Sequence, residues 1–178
     1  MSRINDKILL VAIGIWIGTS TAFGQEETSK KNEVSLNFGL GPFLWSGCCG
    51  SDPDNHYNIY GFVVTAQYMR QVVKGFDVGI IAGWYPAEDE TDVLAMLAFR
   101  GNWVNKPSLK VYTELDIGCM HSSETDISGM YGSCNGFSTS LQYTLAGVNF
   151  GLGKNFFGQA EFGLGSKGLL NIGIGYKF

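Results

Sequence analysis

The chain has 178 residues, of which 45% are hydrophobic, 13% aromatic and only 16% charged, with 25 glycines. That is enough for one domain, and so little charge beside so much Gly and aromatic content suits a barrel with two contrasting faces better than a soluble globule. The net charge of −4 excludes the basic footprint of a nucleic-acid binder, so no nucleic-acid partner is expected.

Residues 1–24 read as a secretory signal peptide. Arg3 and Lys7 supply the positive start, Ile8 to Ile17 is an apolar run broken only by Gly14, and Ala22-Phe23-Gly24 offers small residues for cleavage. The run is too short for a comfortable transmembrane helix. Residues 25–32 form a polar lead-in, and the folded domain is expected over 33–178. No later stretch could be a transmembrane helix, so insertion into a membrane would have to use strands.

The domain reads as strands throughout. From Glu33 to Gly41, Val34, Leu36, Phe38 and Leu40 alternate with Ser35, Asn37, Gly39 and Gly41, the period of two that gives a strand one greasy face. Pro42 ends it, and a turn-rich loop runs from Phe43 to His56. A second strand spans about Tyr57 to Arg70. The third, Phe76 to Tyr85, sets Val78, Ile80, Ala82 and Trp84 against Asp77, Gly79 and Gly83. On that parity, Gly79→Ser should be tolerated if the lumen has room.

Pro86 to Asp92 reads as an acidic loop. The fourth strand, about Val93 to Trp103, is the least regular, with Arg100 and Asn102 assigned inward. The fifth opposes Leu109, Val111, Leu115 and Ile117 to Lys110, Tyr112, Glu114 and Asp116. His121 to Gly136 reads as a loop. The sixth, Phe137 to Gly151, changes parity midway, which a bulge at Ala146-Gly147 would repair. The seventh sets Phe156, Ala160, Phe162 and Leu164 against Gln159 and Glu161, and Ser166-Lys167 closes the last hairpin. In the eighth, Leu170, Ile172, Ile174, Tyr176 and Phe178 alternate with Asn171, Gly173, Gly175 and Lys177.

About eight strands of roughly ten residues are what a small membrane barrel requires. Short turns follow strands two, four and six, and longer loops follow one, three and five, the asymmetry between periplasmic turns and external loops. The expected fold is therefore all-β, a closed antiparallel eight-stranded transmembrane β-barrel, and a monomer. Asp77, Arg100, Lys110, Glu114, Asp116, Glu161 and Lys177 share the minority face and can pair as a lumen plug. Eight strands leave room for side chains rather than an open pore. Trp84 and Tyr60 should lie in an external aromatic girdle, and Phe76, Tyr68, Phe99, Trp103, Phe156 and Phe178 in a periplasmic one.

The closing segment NFFGQAEFGLGSKGLLNIGIGYKF resembles the last two strands of small outer-membrane β-barrel proteins of the OmpX and OmpA-barrel, porin-like sort. The resemblance covers about Glu33 to Phe178 and implies an outer-membrane location. It also implies that Leu170, Ile172, Ile174, Tyr176 and Phe178 serve as an assembly signal. The implied partners are outer-membrane lipid and the barrel-assembly machinery; the external ligand is unknown and no cofactor is expected. The family includes adhesins, structural barrels and enzymes, so the likeness is nearly silent on activity.

Few residues suggest chemistry. Cys48 and Cys49 fall in the first loop, and Cys119 and Cys134 flank the third. An exported location permits disulfides. Adjacent cysteines rarely bond, so two cross-links joining Cys48 and Cys49 to Cys119 and Cys134 are expected to staple these loops. With only His56 and His121 as imidazole ligands, no metal site is expected. The expected role is non-enzymatic, structural or in surface interaction. The alternative is a lipid A-modifying hydrolase: His121-x-Ser123 resembles the motif of outer-membrane lipid A deacylases, which would make His121 the base, Ser123 the nucleophile and Glu124 the acid.

Overall fold

The computed structural model describes residues 30–42, 60–86, 90–124 and 135–178. The strands are β1 (Asn32–Pro42), β2 (Tyr60–Val73), β3 (Phe76–Pro86), β4 (Glu90–Lys106), β5 (Leu109–Glu124), β6 (Asn135–Gly151), β7 (Phe156–Gly165) and β8 (Leu170–Lys177). Each pairs with the next and β8 pairs with β1, all antiparallel, which closes the barrel. The seam is tied at the ends of the chain. Phe178 N–H donates to the Asn32 carbonyl at 2.9 Å, and Asn32 N–H donates to the Phe178 carbonyl at 3.1 Å.

The short turns at 74–75, 107–108 and 152–155 lie at the end of the barrel that holds Asn32 and Phe178, here the turn end. Gly75 takes φ 83° in the first of these turns, a left-handed value that a side chain would resist. The 166–169 turn lies at the opposite end, here the loop end, where β1, β3 and β5 finish and β2, β4 and β6 begin.

Side-chain parity divides inside from outside. Neighbouring isoleucines show the division: Ile80 is 58% exposed and Ile81 2%. Val34, Leu36, Phe38, Leu40, Ile172 and Ile174 likewise face out, while Asn37 and Asn171 between them are buried. An apolar band therefore surrounds the barrel, and the polar backbone is satisfied strand to strand with no free edge.

Several expectations change in detail. β5 continues through His121 to Glu124, and β4 begins at Glu90, so both expected loops are shorter than the sequence suggested. The pairing ladder carries the chain further: Glu90 to Asp92 lie opposite Glu124 to Ser122. The β6 irregularity falls at Leu145-Ala146, one residue before its expected place, and restores the parity of Val148 and Phe150. The lumen is not wholly polar. Met69, Ile81, Leu94, Met96, Ala98 and Met120 form an apolar cluster on its β2–β5 side. This explains the irregular look of β4, where Leu94 and Met96 give the inward parity apolar residues too.

The aromatic girdles are present in part. Phe156, Tyr176 and Phe178 form an aromatic cluster at the turn end: Phe156 meets Tyr176 edge-on at 5.2 Å between centroids, and Tyr176 stacks with Phe178 at 6.3 Å. Trp84 lies outward near the loop end, while the side chain of Tyr60 is outside the described residues. Phe38 and Phe62 stack at 5.4 Å in the loop-end half, a pair that parity alone did not single out.

Gly79 does not have the room expected of it. A Cβ there would strike the Tyr68 carbonyl oxygen and the Met69 sulfur. Gly79→Ser should therefore lower stability in a urea titration, where a neutral result would contradict the packing. Ile80→Arg should cost about 2–4 kcal/mol, the usual penalty for a cation deep on a barrel's apolar face.

Candidate functional site

The densest chemistry lies inside the barrel. Arg100 on β4 is its centre. Its Nε donates to Glu114 Oε2 at 2.7 Å and its Nη1 to Glu33 Oε2 at 3.3 Å. Its guanidinium also lies 3.9 Å from the centroid of Tyr112, a geometry in which the ring face attracts the cation. Tyr112 Oη donates to Glu161 Oε1 at 2.8 Å. Gly147, its register partner on β6, is what lets the ring lie there, because a Cβ would run into it.

Two lysines extend the network toward opposite ends. Lys110 Nζ donates to Glu33 Oε1 at 2.6 Å and Asp77 Oδ2 at 3.0 Å on the turn side. On the loop side, Lys167 Nζ lies 2.8 Å from Glu114 Oε1, 2.8 Å from Asp116 Oδ2 and 3.3 Å from Glu161 Oε2. Lys177 lies 3.8 Å from Glu33 and sits over the Phe157 ring. Each of the seven inward charged residues expected from parity belongs to this network, as does Glu33.

Lys167 was not foreseen, because Ser-Lys-Gly between two strands looks like a solvated hairpin tip. Instead the 166–169 turn folds into the lumen. Tyr85 Oη donates to the Ser166 carbonyl, Lys167 N–H donates to Gln142 Oε1 at 2.7 Å, and Gln142 Nε2 donates to the Gly168 carbonyl at 3.3 Å. Gly168 takes φ 86° in this turn. The signal available in the sequence was charge imbalance: with Glu33, the inward strand residues hold five acids and three bases, an excess of acid that calls for further cations.

The outer wall carries the other candidates. Cys119 is an exposed free thiol within β5, between Ala95 and Thr139 in register, rather than at the edge of a loop. His121, two residues on, packs its ring against Phe137 with centroids 4.6 Å apart, and its buried Nδ1 has no hydrogen-bond partner among the described residues. Ser123 and Glu124 end β5, in register with Thr91 and Glu90. Cys48, Cys49 and Cys134, like residues 1–24 and most of the lead-in, lie outside the described residues. Leu170, Ile172, Ile174, Tyr176 and Phe178 all face outward at the closing seam. Among the described residues no group of three or more His, Cys, Asp or Glu side chains is placed to hold a metal ion.

No protein-family model and no curated protein sequence matches the chain. Solved structures do. The N-terminal β-barrel domain of Pseudomonas aeruginosa OprF matches at TM-score 0.57 and 17% identity, over 84% of this chain and 98% of that one. Ail, the attachment invasion locus protein of Yersinia pestis, matches at 0.52 and 16%, over 85% and 100%. Neisserial surface protein A matches at 0.51 and 14%, over 83% and 95%. The chain thus has the fold of the small eight-stranded outer-membrane barrels.

The lumen network makes a direct stability prediction. Removing one partner leaves buried charge uncompensated, at a cost of about 3–5 kcal/mol. Lys167→Met should therefore lower the urea midpoint strongly, while Lys154→Met, at an exposed turn, should leave it nearly unchanged. Equal midpoints would mean that Lys167 does not hold the lumen together.

Proposed function

We propose that this protein is an integral outer-membrane barrel with a non-enzymatic role, a membrane-fixed frame that presents its loop end at the cell surface. The observation that carries this reading is the combination of a closed apolar wall and a lumen filled by a continuous ion network. The filled lumen argues against a pore, since transport would require Arg100 and Lys167 to leave their carboxylates. The fold likeness supports the location, and the name of Ail as an attachment and invasion protein is consistent with a surface-interaction role. In planar bilayers the purified barrel should insert without stable channel openings; steady pore-sized conductance would overturn the reading.

The outward aromatic strand Leu170 to Phe178 would act as the signal read by the barrel-assembly machinery. Phe178→Asp should then sharply reduce the protein recovered in the outer membrane in a protease-protection assay. Normal recovery would remove the signal role.

Loop stapling remains part of the proposal, in a narrower form. Cys119 faces the apolar surroundings five residues before the end of β5, so Cys134 is the better partner for Cys48 or Cys49. Peptide mapping without reductant should find Cys134 linked to one of that pair and Cys119 free to alkylate.

A second reading gains support from one observation: His121 lies on a strand of the outer wall, as the deacylase resemblance requires, rather than in a solvated loop. In that reading His121 would activate Ser123 against a lipid A ester. Mass spectrometry of lipid A from cells with and without the protein separates the two. An unchanged acyl pattern supports the non-enzymatic role, and loss of one acyl chain supports the hydrolase.

A further inference from the structure

The exposed charge of the barrel is divided by end. After Lys7, every Lys and Arg has one of two places. Arg100, Lys110, Lys167 and Lys177 belong to the lumen network. The others, Lys30, Lys31, Arg70, Lys74, Lys106 and Lys154, sit at the turn end. All but Lys30 are exposed, and Lys30 donates to Asn155 Oδ1. Among the described residues no exposed acidic side chain shares that end: Glu33 and Asp77 are buried and held by Lys110. The connecting sequences 43–59, 87–89 and 125–134 have the opposite character, with Asp52, Asp54, Glu88, Asp89 and Asp126 and no Lys or Arg.

These basic residues are spread around the rim. Each of the short turns at 74–75, 107–108 and 152–155 carries one lysine in it or beside it. Lys31 fills the remaining interval at β1, its carbonyl accepting from Gln71 N–H at 2.8 Å. In a closed ring these stations lie two strands apart, so the positive charge forms a ring rather than a one-sided patch. Each turn lysine also has exposed apolar neighbours. Val72 and Val73 precede Lys74, Leu109 is the register partner of Lys106, and Leu152 and Phe156 flank Lys154. A lysine stem can lie along such side chains while its ammonium stays among polar groups.

We propose that this ring binds the phosphate headgroups of anionic phospholipids in the leaflet around the turn end. The inference rests on the outer-membrane reading, which makes the apolar band continuous with acyl chains and sets its turn-end border among headgroups. Charge selects anionic over zwitterionic lipid, because a lysine within a Debye length of an anionic leaflet is attracted to it and no neighbouring carboxylate side chain competes. The ring shape selects lipid over a soluble partner. Lipid surrounds a barrel on every side, and its acyl region accepts Val72, Val73, Leu152 and Phe156 beside the cations. A soluble acidic partner docked on one side would reach only part of the ring. Glu26 and Glu27 precede Lys30 and Lys31 in the sequence, so the turn lysines carry the inference.

The test reconstitutes the barrel in vesicles of equimolar dimyristoyl phosphatidylcholine and dimyristoyl phosphatidylglycerol. Electron paramagnetic resonance of spin-labelled lipid then reads which headgroup is enriched in the immobilised shell. Phosphatidylglycerol should be enriched roughly twofold at low salt, and raised salt should abolish the preference. Lys74→Gln/Lys106→Gln/Lys154→Gln should remove most of it, and Lys74→Arg/Lys106→Arg/Lys154→Arg should keep it. The opposite leaflet contributes equally to parent and variants, so the difference reads the turn end. Should the glutamine variant fail to fold, the salt dependence of the parent decides, and a preference that survives high salt overturns the site. Folded, heat-modifiable barrels with no preference, or with one that the glutamine variant keeps, overturn the site while leaving the membrane reading intact. Failure of the parent to insert overturns the membrane reading itself. Binding of poly-glutamate by the inserted parent without any headgroup preference, lost in the glutamine variant, assigns the ring to a soluble polyanion and overturns lipid as its occupant.

Discussion

Everything in this molecule follows from the need to close the sheet. A wall that carries Leu36, Ile80, Leu97, Ile172 and Ile174 on its outside cannot leave a row of backbone donors and acceptors open beside them. The β1–β8 seam meets that need, down to the paired hydrogen bonds between Asn32 and Phe178. Closure fixes parity around the ring, and parity sends every second side chain into the lumen. The bulges serve the same end. At Leu145-Ala146 an extra residue lets β6 keep Gln142 and Thr144 inward while setting Gly147 opposite Tyr112.

Once closed, the barrel must fill its interior, and it does so in two different ways. The β2–β5 side is packed with methionine, leucine and isoleucine. The remainder holds carboxylates and cations at hydrogen-bonding distance, with Arg100 touching Glu33 and Glu114, and Lys167 reaching Glu114, Asp116 and Glu161. Such a cluster is a weak source of net stability compared with apolar packing. Its value lies in specificity: this register gives each carboxylate a cation within 4 Å, and a slipped register would strand several. The inward turn at 166–169 completes that arrangement, so this connection also acts as the lumen's stopper.

The fold was legible because period-two alternation is a strong signal over eight successive strands, and turn lengths sorted the two ends. The inward charges were legible for the same reason. Strand ends were not, because Glu90 to Asp92 and His121 to Glu124 are polar residues whose composition resembles a loop although they pair in the ladder. Lys167 escaped notice because a turn residue has no parity to read. A row of small outward residues escaped it as well: Ala66, Ala82, Ala95 and Cys119 are far apart in sequence, and only the register brings them together. Conversely, the space expected at Gly79 was absent because parity says which way a residue faces and nothing about what already lies there.

The central claim is that one parity of each strand meets lipid and the other meets the lumen. Adjacent side chains of the same type on β3 test it most directly. In methyl-labelled protein in lipid nanodiscs, Ile80, Leu97 and Ile117 should show nuclear Overhauser contacts to acyl-chain protons, and Ile81 and Leu94 should show none. Acyl contacts at Ile81 as strong as those at Ile80 would contradict the account.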